Sequence, residues 1–404
     1  MPANGGWSVR LVADCFHTLA FPGKGKVLAR DYKKDGRFPV VDQGRERIAG
    51  WTDDEATVID APLPLVVFGD HTRALKFIDT PFARGADGTQ ILKPNDDIDP
   101  LFFLFACRSL NIPSRGYNRH FSLLREKRIS VPDDKAEQEA IGRVLRLLEA
   151  HAEQQGTLKS TACLLKSTAM RELFTRGLRG EPQKETEIGP APESWDIVTI
   201  NDVATETQYG LYIRGQPTGR TPILGMNCQD DGRVVFRYLR FVDLDNETLA
   251  AYRLRPGDLL FNHNNNIDHV GRTALYESAQ EAVFASYLIR ISVNEERCLP
   301  RFLNYYLNRS NVHAEIKRLA NLSFGRGIIS ATKLRTVAFP LPRSVDEQRE
   351  IVAILDAIDR KIDLHRRKRA LLEELFKSLL HKLMTREIRV ADLDLSALPE
   401  AAAA

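Results

Sequence analysis

Residues 136–145 read AEQEAIGRVL, and residues 346–355 read DEQREIVAIL. The offset between them is 210 residues (346 minus 136), and it holds without a gap well beyond both stretches. Pro132 falls on Pro342, Glu137-Gln138 on Glu347-Gln348, Ile141 on Ile351, Leu145 on Leu355 and Leu165 on Leu375. LFTRGLR, residues 173–179, falls on LMTREIR, residues 383–389. Loops tolerate changes of length and packed helices do not, so an ungapped register this long marks one helical unit made twice.

Each copy carries a start signal. Ser344-Val345-Asp346-Glu347 is a capping box, in which the serine oxygen takes an orphan amide and Glu347 returns the bond. Asp134 and Glu137 offer the same arrangement upstream. From Ile351 the apolar spacing alternates four and three through Leu355, Ile358 and Ile362. It passes His365 and Arg369 and continues through Leu372, Phe376, Leu379 and Leu383, which is a heptad seam. The first copy reads Ile141, Leu145, Leu148 and Ala152, passes Gly156, and resumes at Leu158, Ala162, Leu165, Ala169 and Leu173. A helix of roughly 40 residues spans about 60 Å. Neither seam can stay exposed, and two equivalent units in one chain pair about a pseudo-twofold axis. The seams therefore predict an antiparallel pair with a globule at each end; the alternative is that each helix packs only on its own globule.

Around the helices the chain divides into segments. Residues 1–133 read as a mixed α/β globule, with PLPLVVF at Pro62 and ILK at Ile91 as strands. PLFFLFACRSL from Pro100 reads as a buried helix opened by proline. Residues 195–342 repeat that plan: PRFLNYYLNRS from Pro300 has the same proline and aromatic run, and Trp195 in SWDIVTINDV answers Trp7 in GWSVRLVADC. The helices are expected over 134–178 and 343–388, a Pro/Gly-rich linker over 179–194 and a flexible tail over 389–404. The predicted fold class is α+β: two α/β globules separated by two long antiparallel coiled-coil helices.

The bulk properties bound the function. The 404 residues allow two or three domains, and 43% apolar with 27% charged residues is ordinary for a soluble globular chain. No apolar run approaches the roughly 20 residues of a membrane span, and MPANGGWSVR does not resemble a signal peptide. Cys15, Cys107, Cys163, Cys228 and Cys298 are scattered, with no CxxC pair, which suits a reducing cytoplasm. Net charge is only +3, but it is unevenly spread. Arg108 to Arg128 holds six Lys or Arg against one acid, and Arg301 to Arg335 holds seven against Glu315. A basic concentration before each repeated helix points to a polyanion; solvated surface is the plainer reading of either one alone.

Signals for chemistry are sparse. GKGKV at Gly23 lacks the spacing of a phosphate loop, no [DNS]PP[YF] tetrad is present, and no GxGxxG follows a strand. PDDK at Pro132 is better explained as a helix cap than as a nuclease cluster. FNHNNNIDHVG from Phe261 clusters His263, Asp268 and His269, a weak metal set; Asn and His on a loop suit base edges better, since Asn is a bidentate partner for adenine.

These residues carry a resemblance. The chain resembles the DNA-specificity subunits of type I restriction-modification systems. PLPRSVDEQREIVAIL (340–355) is close to that family's PLPP-x-x-EQ-x-x-I-x-x-x-L, IGPAPESW (188–195) opens the second half, and LFTRGLRGE and LMTREI end the helices. The second globule resembles one recognition-domain type through TQYGLY, GDLLFNHNNNIDHVGRTALY and FASYLIRI; the first resembles another through FGDHTRALKF, ADGTQIL and GYNRHFSLL. PDDKAEQ departs from a second PLP motif, and FNHNNN from the commoner FNRTNS-like run, so a target sequence does not transfer.

The resemblance implies a non-catalytic subunit that reads two half-sites of double-stranded DNA, with the helices as a ruler. It implies two adenine methyltransferase subunits as partners and a translocating nuclease subunit as an optional third. S-adenosylmethionine and ATP with Mg would belong to those partners and no cofactor or metal to this chain. The rival readings are a self-contained DNA methyltransferase or nuclease relative and a non-DNA coiled-coil scaffold.

Candidate DNA contacts in the first globule are Arg73, Lys76, Tyr117, Asn118, Arg119 and His120. In the second they are Gln208, Tyr209, Asn262, His263, Asn264, Asn265 and Arg326, with Gly210 and Gly325 allowing close backbone approach. Solvated loops and turns are the plainer reading of both sets. Helix pairing and partner docking are assigned to Glu137, Gln138, Ile351, Leu355, Ile358, Ile362, Leu372, Phe376, Leu379 and Leu383.

Overall fold

Two helices dominate the computed structural model, Lys135–Arg176 and Val345–Met384, here the first and second long helices. The structure describes residues 6–21, 25–85, 87–114, 116, 118–323 and 325–393, with the backbone alone for Ser323. The chain forms two compact units, Met1–Thr157 with His365–Ala404, and Leu158–Leu364. Each long helix therefore passes from one unit to the other part-way along its length.

In the first unit, strand Trp7–Leu11 pairs antiparallel with Arg128–Pro132, so the chain enters and leaves the globule side by side. Between them lies an antiparallel four-stranded sheet in the order Phe16–Thr18, Thr89–Pro94, Leu65–Gly69, Leu75–Ile78. A second, three-stranded sheet is built from Gly50–Thr52, Phe38–Val41 and Ala83–Arg84. Helix Pro100–Arg108 starts at an Asp99 cap that accepts from the Phe102 amide at 2.8 Å. Its phenylalanines Phe102, Phe103 and Phe105 are buried with Ile141 and Leu145 of the first long helix and Leu383 of the second, and Phe376 and Leu379 pack against this core.

The second unit repeats the frame and enlarges the sheet. Asp196–Thr199 pairs with Ala338–Leu341, and helix Pro300–Leu307 takes the place of Pro100–Arg108. Six strands run in the order Ala204–Tyr209, Leu288–Val293, Leu259–Asn262, Thr273–Leu275, Arg233–Val234, Gln229–Asp230. The core joins Phe302 and Tyr306 to Met170 and Phe174 of the first long helix and to Ile351 and Leu355 of the second.

Within each unit, then, the start of one long helix shares a core with the end of the other, which makes the pair antiparallel. His365 Nδ1–H donates to Gln155 Oε1 at 2.7 Å, and these residues are 210 apart, the offset of the sequence repeat. Equivalent positions of the repeat therefore touch each other. In each unit the two long helices share one core, so the alternative, in which each helix packs only on its own globule, does not hold.

The duplicated glutamine explains why the repeat begins where it does. Gln138 is fully buried; its Oε1 accepts from the Asp99 amide at 2.8 Å, and its Nε2 donates to Pro132 O at 2.9 Å and Asp97 O at 3.1 Å. Gln348 does the same with the Leu299 amide at 2.8 Å, Arg297 O at 2.9 Å and Pro342 O at 3.3 Å. One side chain fastens a long helix to the last strand of its globule and to the cap of the proline-led helix. Gln138 is thus an internal staple, which corrects its assignment to helix pairing or partner docking. Glu347 does not close a capping box either: Ser344 Oγ accepts from the Asp346 amide at 3.2 Å, while Glu347 accepts from Trp195 Nε1 at 3.1 Å.

Other expectations are corrected by packing. Ala152 and Ala162 are buried as expected, but Leu158 and Leu165 are exposed, and the buried line of the first long helix continues through Met170 and Phe174. It includes polar residues because they have partners: Lys166 pairs with Asp359 at 2.8 Å, and Tyr305 Oη lies 2.6 Å from Asp356 and 2.7 Å from Asp359. Gly142 has a packing role. A Cβ there would lie 2.8 Å from Leu101 Cβ and 3.1 Å from the Phe102 amide, so glycine permits the close approach of the two helices. The linker is structured, with Gln183–Lys184 paired to Ala191–Pro192 and Lys184 Nζ donating to Glu193 O at 3.0 Å. The start of the expected flexible tail is also held: a turn at Val390–Asp392 packs Val390 and Leu393 on the first unit's core, and residues 394–404 lie outside the described residues. Among the described residues no helix is long and apolar enough to cross a membrane.

Removing a staple leaves a buried amide and two carbonyls without partners, so Gln348→Ala is expected to lower the unfolding free energy by about 2–4 kcal/mol in chemical denaturation. Glu350→Ala, exposed on the same turn, should change it by less than about 0.5 kcal/mol. Similar small effects for both would contradict the staple. Gly142→Ala should cost about 1–3 kcal/mol through overpacking, and a neutral result would contradict the close approach.

Candidate nucleic-acid interface

In the first unit the predicted contacts separate into buried and exposed groups. Lys76 is 4% exposed, donates to Asp42 O at 2.8 Å and lies 3.6 Å from Asp42 Oδ1. Burial holds its pKa below the ordinary lysine value, and Asp42 opposes that shift. His120 is buried, its amide donating to Asp70 Oδ1 at 2.7 Å and its Nδ1–H to Asp70 O at 2.9 Å. Both residues hold the fold together and are withdrawn as DNA contacts. Arg73, in left-handed backbone at φ 62°, is tethered by its guanidinium to Ile112 O at 2.7 Å. Asn118 and Arg119 remain on the exposed segment, Arg119 Nε 4.0 Å from Asp70 Oδ2. Tyr117 lies outside the described residues. Part of the basic concentration is structural as well, since Arg108 pairs with Glu149 at 2.6 Å.

The second unit brings its predicted residues together. The FNHNNN run is not a loop: Leu259–Asn262 is a central strand, and Asn264–Asn266 pairs with Arg326–Ile328, setting Asn266 opposite Arg326. The Tyr209 and His263 rings meet edge to face at 5.0 Å, and Tyr209 Oη accepts from the Ala331 amide at 2.8 Å. Exposed Arg326 stands over the Tyr287 ring at 5.6 Å. Gln208 is half-buried with its Oε1 unpartnered among the described residues. His263 Nε2–H donates to Ser286 O at 2.7 Å, and burial lowers its pKa. No three His, Cys, Asp or Glu among the described residues stand where they could share a metal ion.

Beside this surface opens a cleft of about 880 Å³, lined in part by Asn262, Asn265, His269 and Tyr287. Its remaining wall was not evident from the sequence: Tyr212, Arg214, Gln229, Tyr238, Arg240 and Arg272. Among the described residues no carboxylate lines it. Arg214, Arg240 and Arg272 are exposed, and none has an ion-pair partner among the described residues. Tyr212 and Tyr238 are 93% and 80% exposed. Tyr238 is also held in left-handed backbone at φ 51°, rare for an aromatic residue, with its carbonyl accepting from Asn227 Nδ2 at 3.3 Å. The alternation of aromatic and basic residues in RYLR, 237–240, and the YIR that closes TQYGLYIR were the available signals. Three free cations, exposed rings and amides form a surface suited to phosphates and bases.

The long-helix residues assigned to docking are largely consumed inside the protein. Ile351, Leu355, Ile362 and Leu383 are buried, and Glu137, Ile358, Leu372, Phe376 and Leu379 are half-buried. No partner can reach the buried four. Exposed instead are Leu164, Leu165, Leu371 and Leu375.

Residues 192–374 match the family model described as the type I restriction modification DNA specificity domain. The MjaX type I restriction enzyme specificity subunit of Methanocaldococcus jannaschii is 29% identical over 51% of this chain and 49% of its own length. The MjaVIII specificity subunit of the same organism is 25% identical over 57% and 55%. The chain thus spans about half the length of the curated relatives it matches. The crystal structure of the type I restriction-modification S subunit from M. genitalium shares the fold, with a TM-score of 0.66 at 16% identity, covering 95% of this chain and 97% of that one. A structure from work on complex assembly in the type I R-M system gives 0.51 at 18% identity over 94% and 97%. A specificity domain matched over residues 192–374, relatives of one kind and a doubled fold shared with solved S subunits lead to one statement: the chain is similar to type I restriction-modification DNA-specificity subunits.

Proposed function

We propose that the chain reads a bipartite double-stranded DNA target, one half-site per unit, and does no chemistry itself. The observation that carries this reading is the cleft of the second unit, free of carboxylates among the described residues, with Arg214, Arg240 and Arg272 unpaired among them around the buried amide of Asn262. In the first unit the corresponding contacts are Asn118 and Arg119, and in the second Tyr209, Asn265 and Arg326 add to the cleft. The length of long helix between the two readers fixes the number of base pairs between half-sites. Two adenine methyltransferase subunits dock on the exposed leucines. Leu165 and Leu375 support that number, because they occupy equivalent positions of the repeat and are both exposed. A translocating nuclease joins through the same assembly, with S-adenosylmethionine and ATP with Mg held by the partners, in the cytoplasm. Incubating the pure chain with DNA and labelled methyl donor separates this reading from a self-contained methyltransferase: transfer above background would sink it.

Counterion release gives log K a slope near −0.9 per neutralised phosphate. Replacing Arg214, Arg240 and Arg272 together by Ala should flatten the slope of log K against log salt by about 2–3. Retention of the wild-type slope would place the DNA elsewhere. Arg119→Ala or Arg326→Ala should weaken binding by about 1–3 kcal/mol at a base contact, or equally for all sequences at a phosphate.

The ruler is testable because both long helices cross between the units, at Thr157/Leu158 and at Leu364/His365. An insertion in one helix alone would leave two unequal connections. Four residues inserted in both, after Gly156 and after Arg366, add about 6 Å to each, so the gap should lengthen by about one to two base pairs at about 3.4 Å each. Methylation mapping in one host reads the change, and an unchanged gap with full activity would remove the helices as the measure.

A further inference from the structure

We propose that the second unit's cleft takes up a single base extruded from the duplex, one that carries an exocyclic amine. The inference rests on the DNA reading above and adds to it a distortion of the target within the second half-site.

Groove readout works by protrusion: protein side chains enter the groove and meet base edges there. Asn262 is arranged in the opposite sense. It lines the cleft yet is only 2% exposed, as part of the central strand Leu259–Asn262. A paired base edge cannot descend to such a group. A base swung out of its stack can, and pockets that accept one read its Watson–Crick edge by hydrogen bonds and hold its faces between aromatic side chains. The cleft supplies both parts. Tyr212, Tyr238 and Tyr287 line it, and the first two have almost nothing packed on them. Its volume of about 880 Å³ falls within the roughly 300–1,000 Å³ typical of small-molecule sites.

The hydrogen bonds fix what the floor asks of its occupant. Gln229 Nε2 donates to Leu260 O at 2.7 Å, so Gln229 Oε1 faces Asn262 and accepts from Asn262 Nδ2 at 3.3 Å. That leaves Asn262 Oδ1, a buried atom of a residue that lines the cleft, with no partner among the described residues. His269 Nδ1, on the same wall, is buried and unpartnered too. Desolvated acceptors without donors are costly unless a ligand completes them. The amino group of adenine or cytosine stands at the edge of the ring and donates to Oδ1, while Arg214, Arg240 and Arg272 hold the displaced phosphates.

The test uses the full-length chain without methyltransferase, so that no partner can flip a base. Duplexes carry the second half-site, found by methylation mapping, with 2-aminopurine placed at each position of both strands in turn. Fluorescence should rise severalfold on binding at one base and its stacking neighbours. A mismatch that unpairs that base should tighten binding at least tenfold. Tyr212→Ala with Tyr238→Ala, at two exposed side chains, should abolish both effects while the protein remains folded. Sequence-selective binding with no brightening at any position, and no gain from any mismatch, overturns base extrusion but leaves the DNA reading intact. Failure of the chain to bind the half-site at all overturns both.

Discussion

One buried glutamine per unit connects the helical and globular parts of this protein. Gln138 and Gln348 each satisfy the amide that opens a proline-led helix, the carbonyl that ends the closing strand, and one carbonyl of the loop before the cap. A helix start normally leaves its first amides to water or to a local cap. Here one of those amides, Asp99 in one unit and Leu299 in the other, is answered from a different helix. The orientation of each long helix on its globule follows from three hydrogen bonds that water cannot replace in a fully buried site. The two globules differ in sheet size and strand order but not in this joint.

The joint also explains the pairing of the long helices. With the starts of both fixed to equivalent frames, each helix must run to the other frame, and Phe174 and Leu383 at their far ends are fully buried there. At the centre the apolar seam gives way to His365 and Gln155, which meet across the helix pair at 2.7 Å. A polar pair at that point specifies register, as single polar residues do in coiled coils. Further along, Asp359 is 5% exposed and compensated by Lys166 and Tyr305, so a buried charge is retained where partners surround it.

Much of the architecture was legible because it is written as periodicity and duplication. The 210-residue offset located both long helices, the prolines at 100 and 300 located both buried helices, and Trp7 and Trp195 marked the matching starts of the two globules. What failed was the role of single polar residues. Gln138, Lys76 and His120 are the kinds of residue that bind partners or DNA at a surface, yet all three are at most 4% exposed. Sequence carries no direct record of burial for an isolated polar side chain. The same blindness hid an exposed leucine face, since Leu158 and Leu165 were read as seam although Lys166 and Gln155 make the inward contacts. The cleft was half visible. Asn262 and Asn265 were chosen for their chemistry, but Tyr212, Tyr238 and the three arginines come from separate strands and turns that only the folded sheet gathers.

The central claim is that two independent readers share one helical frame. The direct measurement exchanges residues 7–132, the segment bounded by the paired strands that begin at Trp7 and end at Pro132, for the matching segment of one of the specificity subunits that the chain resembles. Gln138 and both long helices stay in place. Methylation motifs are then mapped by sequencing in one host, with the partner subunits unchanged. The account predicts a new first half-site, with the second half-site and the gap as before. A change in both half-sites, or in the gap, would show that the units do not read separately and would contradict it.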